Sequence, residues 1–375
     1  MPSTILQTTR AVNTFRLTTP RRSGTVDDMQ PQIFETTTWK RLRSPDYNYN
    51  FCKLTGRFER WGARPQDDPD WSPAGPEIAD VEVSTICHQG CRFCYKSNRA
   101  VGHNMSADTF RQVLDKLPPT LTQVALGIGS VDANPDLWDI MLMCRDRGVV
   151  PNITINGYRM QPEHYRRLAQ LCGAVAVSRY EPDVCYAAVE RLSAAGLQQV
   201  NIHQLLSGET YDDCLQTIQD ARQDPRLRGL RAIVFLALKP VGRGTALTPL
   251  RDVDQYRRLV EAAMKTGVGF GFDSCSAPMF LAATQQHPRY QQFRTLAEPC
   301  ESTLFSVYID AFARLHPCSF LEDTDVSIDV LTAEDFVRDV WSAPAVVKWR
   351  ERLLWTARGG LVEGCRQCPE FRIYP

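Results

Sequence analysis

The chain has 375 residues, a formal net charge of zero and 43% hydrophobic residues. This length allows one large α/β domain with extensions or two domains, and the hydrophobic content is enough for a substantial core. The neutral charge gives no general attraction to nucleic acid or to an anionic membrane, and no apolar run approaches the roughly 18 residues that span a bilayer.

The cysteine content indicates a reducing compartment and a bound metal. The chain has 13 cysteines, and an odd number with several tight spacings is not typical of a disulfide scaffold. The N-terminus lacks the charged-then-apolar layout of a secretory signal, so we expect a cytoplasmic protein. Five isolated cysteines are predicted to be small core residues, namely Cys52, Cys144, Cys172, Cys185 and Cys214.

Residues 1–75 predict a weakly structured N-terminal extension that is partly disordered. Their composition changes from Thr- and Arg-rich to aromatic and polar, and then to Pro- and Asp-rich. Only residues 48–61 predict a regular element here, a short hairpin around Thr55-Gly56.

A cluster of cysteines follows the first clear strand pattern. Residues 78–86 alternate in the manner of a strand, and Cys87-x3-Cys91-x2-Cys94 comes directly after them. Three thiolates within eight residues can converge on one metal centre. Three ligands on a four-iron cluster leave one iron open, whereas a closed four-ligand site is structural, so this loop is a candidate reaction centre.

Strand and helix patterns then alternate regularly as far as residue 272. The helix signals include Asn134-Pro135, where Asn is a helix cap and Pro fits the first turn, and Gly196 at a helix end. Six strand–helix units and a seventh strand predict a parallel sheet or barrel. Such folds place their sites at the carboxyl ends of the strands, and the cysteine loop leaves the first strand at that end.

The alternation stops after residue 275, and a domain boundary is predicted within residues 275–298. The remaining chain predicts a hairpin over residues 305–310 and 314–320, followed by a Trp-bearing helix over residues 343–355. Two further cysteines, Cys365 and Cys368, lie near the C-terminus.

With this cysteine motif after a first strand and six βα units, the chain resembles the radical S-adenosylmethionine (SAM) superfamily over about residues 76–280. The resemblance implies a partial (βα)6 TIM-like barrel. It also implies that Cys87, Cys91 and Cys94 hold three irons of a [4Fe–4S] cluster, while the fourth iron takes the amine and carboxylate of SAM.

The resemblance also suggests which residues contact SAM. Phe93 matches a family position near the adenine, and the family's Gly-Gly-Glu motif corresponds to residues 126–130, where its acid is absent and Ser130 or Asp132 substitutes. The full set of candidates is Phe93, Tyr95, Gly127, Gly129, Ser130, Asn156, Ser178, Asn201, His203 and Arg243. Each has a structural alternative: Gly127-x-Gly129 is also a tight turn, Asn156 begins a turn dipeptide, and a lone strand histidine such as His203 is often a core residue.

Residues 281–375 resemble the SPASM/twitch auxiliary-cluster domains. The matching cysteines are Cys300, Cys318, Cys365 and Cys368, which suit one auxiliary [4Fe–4S] cluster; an all-cysteine zinc site is the alternative. Cys275 has three open roles: a ligand of this cluster, a catalytic radical or proton partner, or a packed core thiol.

The resemblance implies reductive cleavage of SAM to a 5′-deoxyadenosyl radical, which takes hydrogen from a substrate. Auxiliary clusters favour maturation of a ribosomally made peptide, including the splicease type that excises a fragment. Residues 1–75 lack a peptide-recognition winged helix, so a separate recognition protein is expected, together with an external flavodoxin- or ferredoxin-type electron donor. The alternatives are a small-molecule or nucleotide-tailoring enzyme and, in another class, a non-catalytic zinc or iron–sulfur protein. Neutral charge disfavours nucleic-acid modification.

Overall fold

The computed structural model describes residues 31–375, and its first element is an antiparallel sheet of four strands. These are β1 (Gln32–Glu35), β2 (Trp39–Arg43), β3 (Asn48–Cys52) and β4 (Phe58–Trp61). The predicted hairpin is confirmed as the β3–β4 pair. The prediction of weak structure is wrong for β1 and β2, because Leu42 of β2 is buried in an apolar cluster and Ile33 of β1 packs against that cluster. The predicted disorder of residues 1–30 lies outside the described residues.

The centre of the molecule is a run of parallel strands that stand side by side in chain order. They are β5 (Ile78–Glu82), β6 (Gln123–Gly127), β7 (Val150–Ile155), β8 (Val175–Ser178), β9 (Val200–Leu206), β10 (Ala232–Ala237) and β11 (Phe270–Phe272). Each strand pairs in parallel with the next one along the chain. The strand β9 is buried along almost its whole length, as expected where both faces of a parallel sheet are covered.

A helix follows each of the first six parallel strands, so the predicted six strand–helix units and seventh strand are confirmed. The helices are α1 (Ala107–Lys116), α2 (Leu137–Asp146), α3 (Pro162–Leu171), α4 (Pro182–Ala194), α5 (Tyr211–Gln223) and α6 (Val253–Thr266). Ser106 caps α1 by accepting a hydrogen bond from the Thr109 amide at 3.1 Å. The isolated cysteines Cys144, Cys172, Cys185 and Cys214 are buried among these elements, and Cys52 is buried in β3.

The C-terminal residues extend the same sheet. They form α7 (Ala277–Thr284), α8 (Tyr290–Leu296), β12 (Ser306–Ile309), β13 (Arg314–His316), β14 (Ile328–Asp329) and α9 (Pro344–Trp355). The predicted hairpin and Trp-bearing helix are confirmed as β12–β13 and α9. Because β12 pairs in parallel with β5, the hairpin lies directly beside the strand that leads into the cysteine loop.

The four-stranded sheet covers the end of the barrel where the parallel strands begin. Gln199, just before β9, donates to the Thr55 carbonyl at 3.4 Å, and Lys40 donates to the Leu121 carbonyl at 2.7 Å. The opposite end of the barrel, where the strands finish, carries the cysteine loop. No helix in residues 31–375 has the length and apolar character needed to cross a membrane.

Candidate active site

The three loop cysteines gather at one wall of a cavity inside the barrel. Cys87, Cys91 and Cys94 all line this cavity, which has a volume of about 400 Å³. Burial raises the pKa of Cys91, and the neighbouring Cys87 and Cys94 raise it further, so the three thiols lie close together. The Cys87 amide donates to the Arg99 carbonyl at 2.7 Å and closes the loop on itself.

Arg243 fixes the shape of the cysteine loop. Its Nε donates to the Cys91 carbonyl at 2.8 Å, its amide donates to the Cys94 carbonyl at 3.0 Å, and its guanidinium reaches the Asn98 carbonyl at 3.3 Å. The sequence predicted Arg243 as a SAM contact. In the structure it lines the cavity, but its hydrogen bonds go to the loop backbone, which makes it a residue that positions the cysteines.

The end of β6 packs directly against the cysteine loop. A Cβ atom on Gly129 would lie 2.4 Å from the Cβ of Cys87 and 2.6 Å from the Ile86 carbonyl oxygen, so only glycine fits. Asn156 donates to the Gly129 carbonyl at 2.6 Å and to the Ser130 hydroxyl at 3.1 Å. These contacts tie the ends of β6 and β7 to the loop.

Most of the predicted SAM contacts line the same cavity. They are Phe93, Tyr95, Gly127, Gly129, Asn156, Ser178, Asn201, His203 and Arg243. Ser130 is buried behind Asn156 and Asp132 is exposed, and neither residue lines the cavity. His203 accepts from or donates to the Thr154 hydroxyl at 3.3 Å, and burial lowers its pKa to about 3, so its ring is neutral.

The sequence analysis missed a polar group that joins the loop to the C-terminal hairpin. Lys96 lies 3.1 Å from a carboxylate oxygen of Glu82 and donates to the Tyr308 hydroxyl at 2.8 Å, and that hydroxyl donates to Glu322 at 2.6 Å. Burial raises the pKa of Glu82 to about 7; Glu322 raises it and Lys96 lowers it. The sequence did contain an indication of this group. Asp80 and Glu82 are two residues apart in β5, so their side chains lie on the same face of the strand, and both line the cavity.

The second set of cysteines lies on the C-terminal side of the barrel. Burial raises the pKa of Cys300, and Cys275 and Cys368 raise it further. Burial also raises the pKa of Cys318, with added effects from Cys300 and Cys368. The Lys239 ammonium pairs with Asp273 beside Cys275 and lies 4.8 Å from the ring centroid of Phe320, so the fold brings the Cys275 turn against the segment that carries Cys318.

Cys365, the fourth predicted ligand, is placed differently. Its thiol is only 3% exposed and lies 3.7 Å from the Arg366 carbonyl oxygen. Burial raises its pKa to about 12, and Arg366 and Arg294 lower it.

Neither cysteine set has the geometry of a site for one metal ion. Within residues 31–375, no three His, Cys, Asp or Glu side chains are arranged to hold a single ion. A [4Fe–4S] cluster takes one thiolate per iron, so its ligands stand farther apart than those of one tetrahedral ion.

The segment from Lys239 to Arg243 connects the two sets. Arg243 binds the loop carbonyls, while the Lys239 ammonium is buried in an ion pair with Asp273, just before Cys275. Between them, the ring of Tyr95 packs on that of Phe320 with centroids 4.4 Å apart. The two cysteine sets are thus parts of one continuous buried structure.

Comparisons with known proteins agree with this geometry. The family described as "Radical SAM superfamily" matches residues 81–222. The comparison with curated proteins gave no match.

Three solved structures share the fold at low sequence identity. Streptococcus suis SuiB bound to S-adenosylmethionine aligns with a TM-score of 0.62 and 15% identity, over 79% of this chain and 73% of SuiB. SuiB bound to the precursor peptide SuiA aligns with a TM-score of 0.61 and 14% identity, over 74% and 67%. Native anSMEcpe with bound AdoMet and the Cp18Cys peptide aligns with a TM-score of 0.51 and 11% identity, over 69% and 79%.

Proposed function

We propose that this chain, a radical SAM enzyme with its radical SAM domain at residues 81–222, modifies a ribosomally made peptide. The observation that carries this proposal is the cavity, where the three loop thiols face residues from successive strand ends and from the C-terminal hairpin. The similar structures of SuiB and anSMEcpe hold peptides, which supports a peptide as the substrate class here.

The residues of the loop fit a SAM-binding [4Fe–4S] cluster held by Cys87, Cys91 and Cys94. When bound, such a cluster supplies the electron that cleaves SAM and so generates the 5′-deoxyadenosyl radical that takes hydrogen from the substrate. The protein's part is to fix the loop through Arg243 and to let a ligand approach the backbone closely at Gly127, which is exposed to the cavity.

We assign SAM-binding roles to residues from several strands that line the cavity. Phe93 packs near Tyr180, with ring centroids 5.3 Å apart, and both rings are suited to cover an adenine. Ser178, Asn201 and neutral His203 add hydrogen-bonding groups from β8 and β9. Glu82, Lys96 and Tyr308 form the wall nearest the C-terminal hairpin and are the groups we assign to the substrate side.

We assign residues 281–375 to an auxiliary domain that holds a second [4Fe–4S] cluster, with thiolates that include Cys300, Cys318 and Cys368. We also propose two partners. A reduced flavodoxin- or ferredoxin-type protein supplies the electron, and a separate protein recognises the precursor peptide.

The test is a reaction with the peptide encoded by the nearest short reading frame beside this gene. Anaerobically reconstituted protein, SAM and reduced flavodoxin are mixed with that peptide, and its mass is measured. We expect 5′-deoxyadenosine and a changed peptide mass. Loss of hydrogens indicates a new bond or a desaturation, and loss of a larger fragment indicates the splicease type.

The matched control is the variant Cys87→Ala/Cys91→Ala/Cys94→Ala, which should leave the peptide unchanged. The peptide assignment would be contradicted if the wild-type protein left the peptide unchanged but converted a sugar or nucleotide made by the enzymes of neighbouring genes. That result would indicate a small-molecule enzyme.

A further inference from the structure

Cys275 stands on a short, rigid turn that follows β11. The turn is fixed by Asp273, whose buried carboxylate accepts from the Ser276 amide at 3.0 Å and from the Ser276 hydroxyl at 2.6 Å. A shift of Ser274–Ser276 would break both hydrogen bonds and leave the buried carboxylate without them. Cys275 is held in place by the last strand of the barrel, not by a loose loop.

The segments that carry the other thiols converge beside Cys275. The Lys239 ammonium pairs with Asp273, two residues before Cys275, and lies 4.8 Å from the ring centroid of Phe320, two residues after Cys318. The Phe320 ring packs in turn near that of Phe371, with centroids 6.4 Å apart, and the Phe371 amide binds the Cys368 sulfur. Cys275, Cys300, Cys318 and Cys368 are all partly exposed, whereas Cys365 is buried.

The surroundings of these thiols are those of a charged sulfur centre. The Phe371 amide donates to the Cys368 sulfur at 3.4 Å, and the Tyr374 hydroxyl accepts from the Cys368 amide at 2.9 Å. The Lys239 ammonium is buried in an ion pair with Asp273, so a fixed cation stands beside the Cys275 turn. Hydrogen bonds to sulfur and nearby charge are what tune an iron–sulfur cluster.

Cys365 lacks all of these features. It belongs to the apolar core, and its thiol contacts the Arg366 carbonyl. The neighbouring Arg366 donates from Nε to the Cys300 carbonyl at 3.1 Å. In this short segment, Arg366 and Cys368 therefore face the other thiols, whereas Cys365 packs in the core.

We infer that Cys275 is the fourth ligand of the auxiliary cluster, with Cys300, Cys318 and Cys368, and that Cys365 is a packed core thiol. This inference rests on the proposed auxiliary cluster. Of the three roles left open for Cys275, it selects that of a cluster ligand. In the ligand set expected from the cysteine spacing, Cys275 takes the place of Cys365.

The test uses a parent variant, Cys87→Ala/Cys91→Ala/Cys94→Ala, in which only auxiliary iron can bind. Iron per chain and the electron paramagnetic resonance spectrum are measured after anaerobic reconstitution. The parent should hold about four irons. Adding Cys275→Ser should remove at least about one iron and change the spectrum, whereas Cys365→Ser and the buried control Cys214→Ser should leave both unchanged.

The outcomes distinguish a failure of the proposed auxiliary cluster from a failure of the inference about Cys275. A parent without iron overturns the proposed auxiliary cluster itself. A parent with four irons that keeps them in Cys275→Ser and loses them in Cys365→Ser overturns only the inference. If Cys275→Ser does not fold, iodoacetamide labelling of the folded parent decides: Cys275 should react only after iron is removed by a chelator, and equal labelling before and after removal contradicts its role as a ligand.

Discussion

Gly129 shows how closely the second strand end must approach the cysteine loop. In Gly129→Ala the new Cβ would meet the Cβ of Cys87 at 2.4 Å and the Ile86 carbonyl at 2.6 Å, and neither neighbour is the end of a flexible side chain. We expect iron bound by the loop, or the rate of SAM cleavage, to fall by about tenfold or more. Gly208→Ala is the matched control, because its Cβ would lie 3.7 Å from Thr248. Equal iron content and rate in the two variants would contradict the assigned packing.

Glu82 makes stability depend on pH. Burial raises its pKa from the ordinary 4.5 to about 7, so the folded protein binds this proton more tightly than the unfolded chain does. The resulting stabilisation is complete below about pH 4.5 and is lost as the pH rises through about 7. The groups that face this carboxyl are Lys96, Tyr308 and Glu322.

The measurement is anaerobic urea unfolding at pH 5 and pH 8. Wild type should lose up to about 3 kcal/mol more stability over this interval than Glu82→Gln, whose amide does not titrate. The comparison with Glu82→Gln removes the contributions of other titrating groups. Parallel pH profiles of the two proteins would rule out the raised pKa.

Among single residues, the sequence predicted those whose role depends on neighbours close along the chain. The spacing of Cys87, Cys91 and Cys94 and the glycines after β6 identified the loop and its close neighbour. The partners of Lys96 were not predictable, because Tyr308 and Glu322 are more than 200 residues away along the chain. The spacing of Cys365 and Cys368 is local too, yet it does not show which thiol the backbone turns into the core.

Among the elements, the four-stranded sheet depends on one buried cation. Arg60 in β4 contacts Glu77 at 2.8 Å, Glu298 at 3.1 Å and Glu301 at 3.0 Å, and all four side chains are almost fully buried. It therefore connects this sheet to the start of the barrel and to the segment before β12. No local pattern in the sequence indicates this connection, since its members are up to 241 residues apart.

Arg60→Met should destabilise the protein by about 3–5 kcal/mol, because it leaves buried carboxylates without their counter-charge. Thermal or urea unfolding measures this loss. Arg64→Met is the control: Arg64 pairs with Asp67, but its side chain is 70% exposed, so its loss should have little effect on stability. A similar small cost in both variants would show that the buried cluster does not hold the sheet.

The helices and parallel strands were predictable because their signals repeat along the chain, as in Gly196 at the end of α4 and the apolar runs of β9 and β10. β1 and β2 were not, because their exposed faces carry charged and polar residues that conceal the alternation. The pairing of β12 with β5 is a tertiary contact between strands far apart in sequence, and no local pattern indicates it.

The whole molecule joins two cysteine sets through one sheet. β5 leads into the loop with Cys87, and β12 and β13 lie beside it and lead to Cys318. Lys239 and Arg243, four residues apart after β10, contact one set each. This continuity places the cavity between the loop and the C-terminal hairpin, where a substrate would be enclosed by both.

The most direct test of the account is the formation of 5′-deoxyadenosine from SAM under anaerobic, reducing conditions. The reconstituted wild-type protein should produce it together with methionine. The variant Cys87→Ala/Cys91→Ala/Cys94→Ala should produce none, while it stays folded and retains about four auxiliary irons. Formation of 5′-deoxyadenosine at the wild-type rate by that variant would contradict the claim that these three thiols hold the centre at which SAM is cleaved.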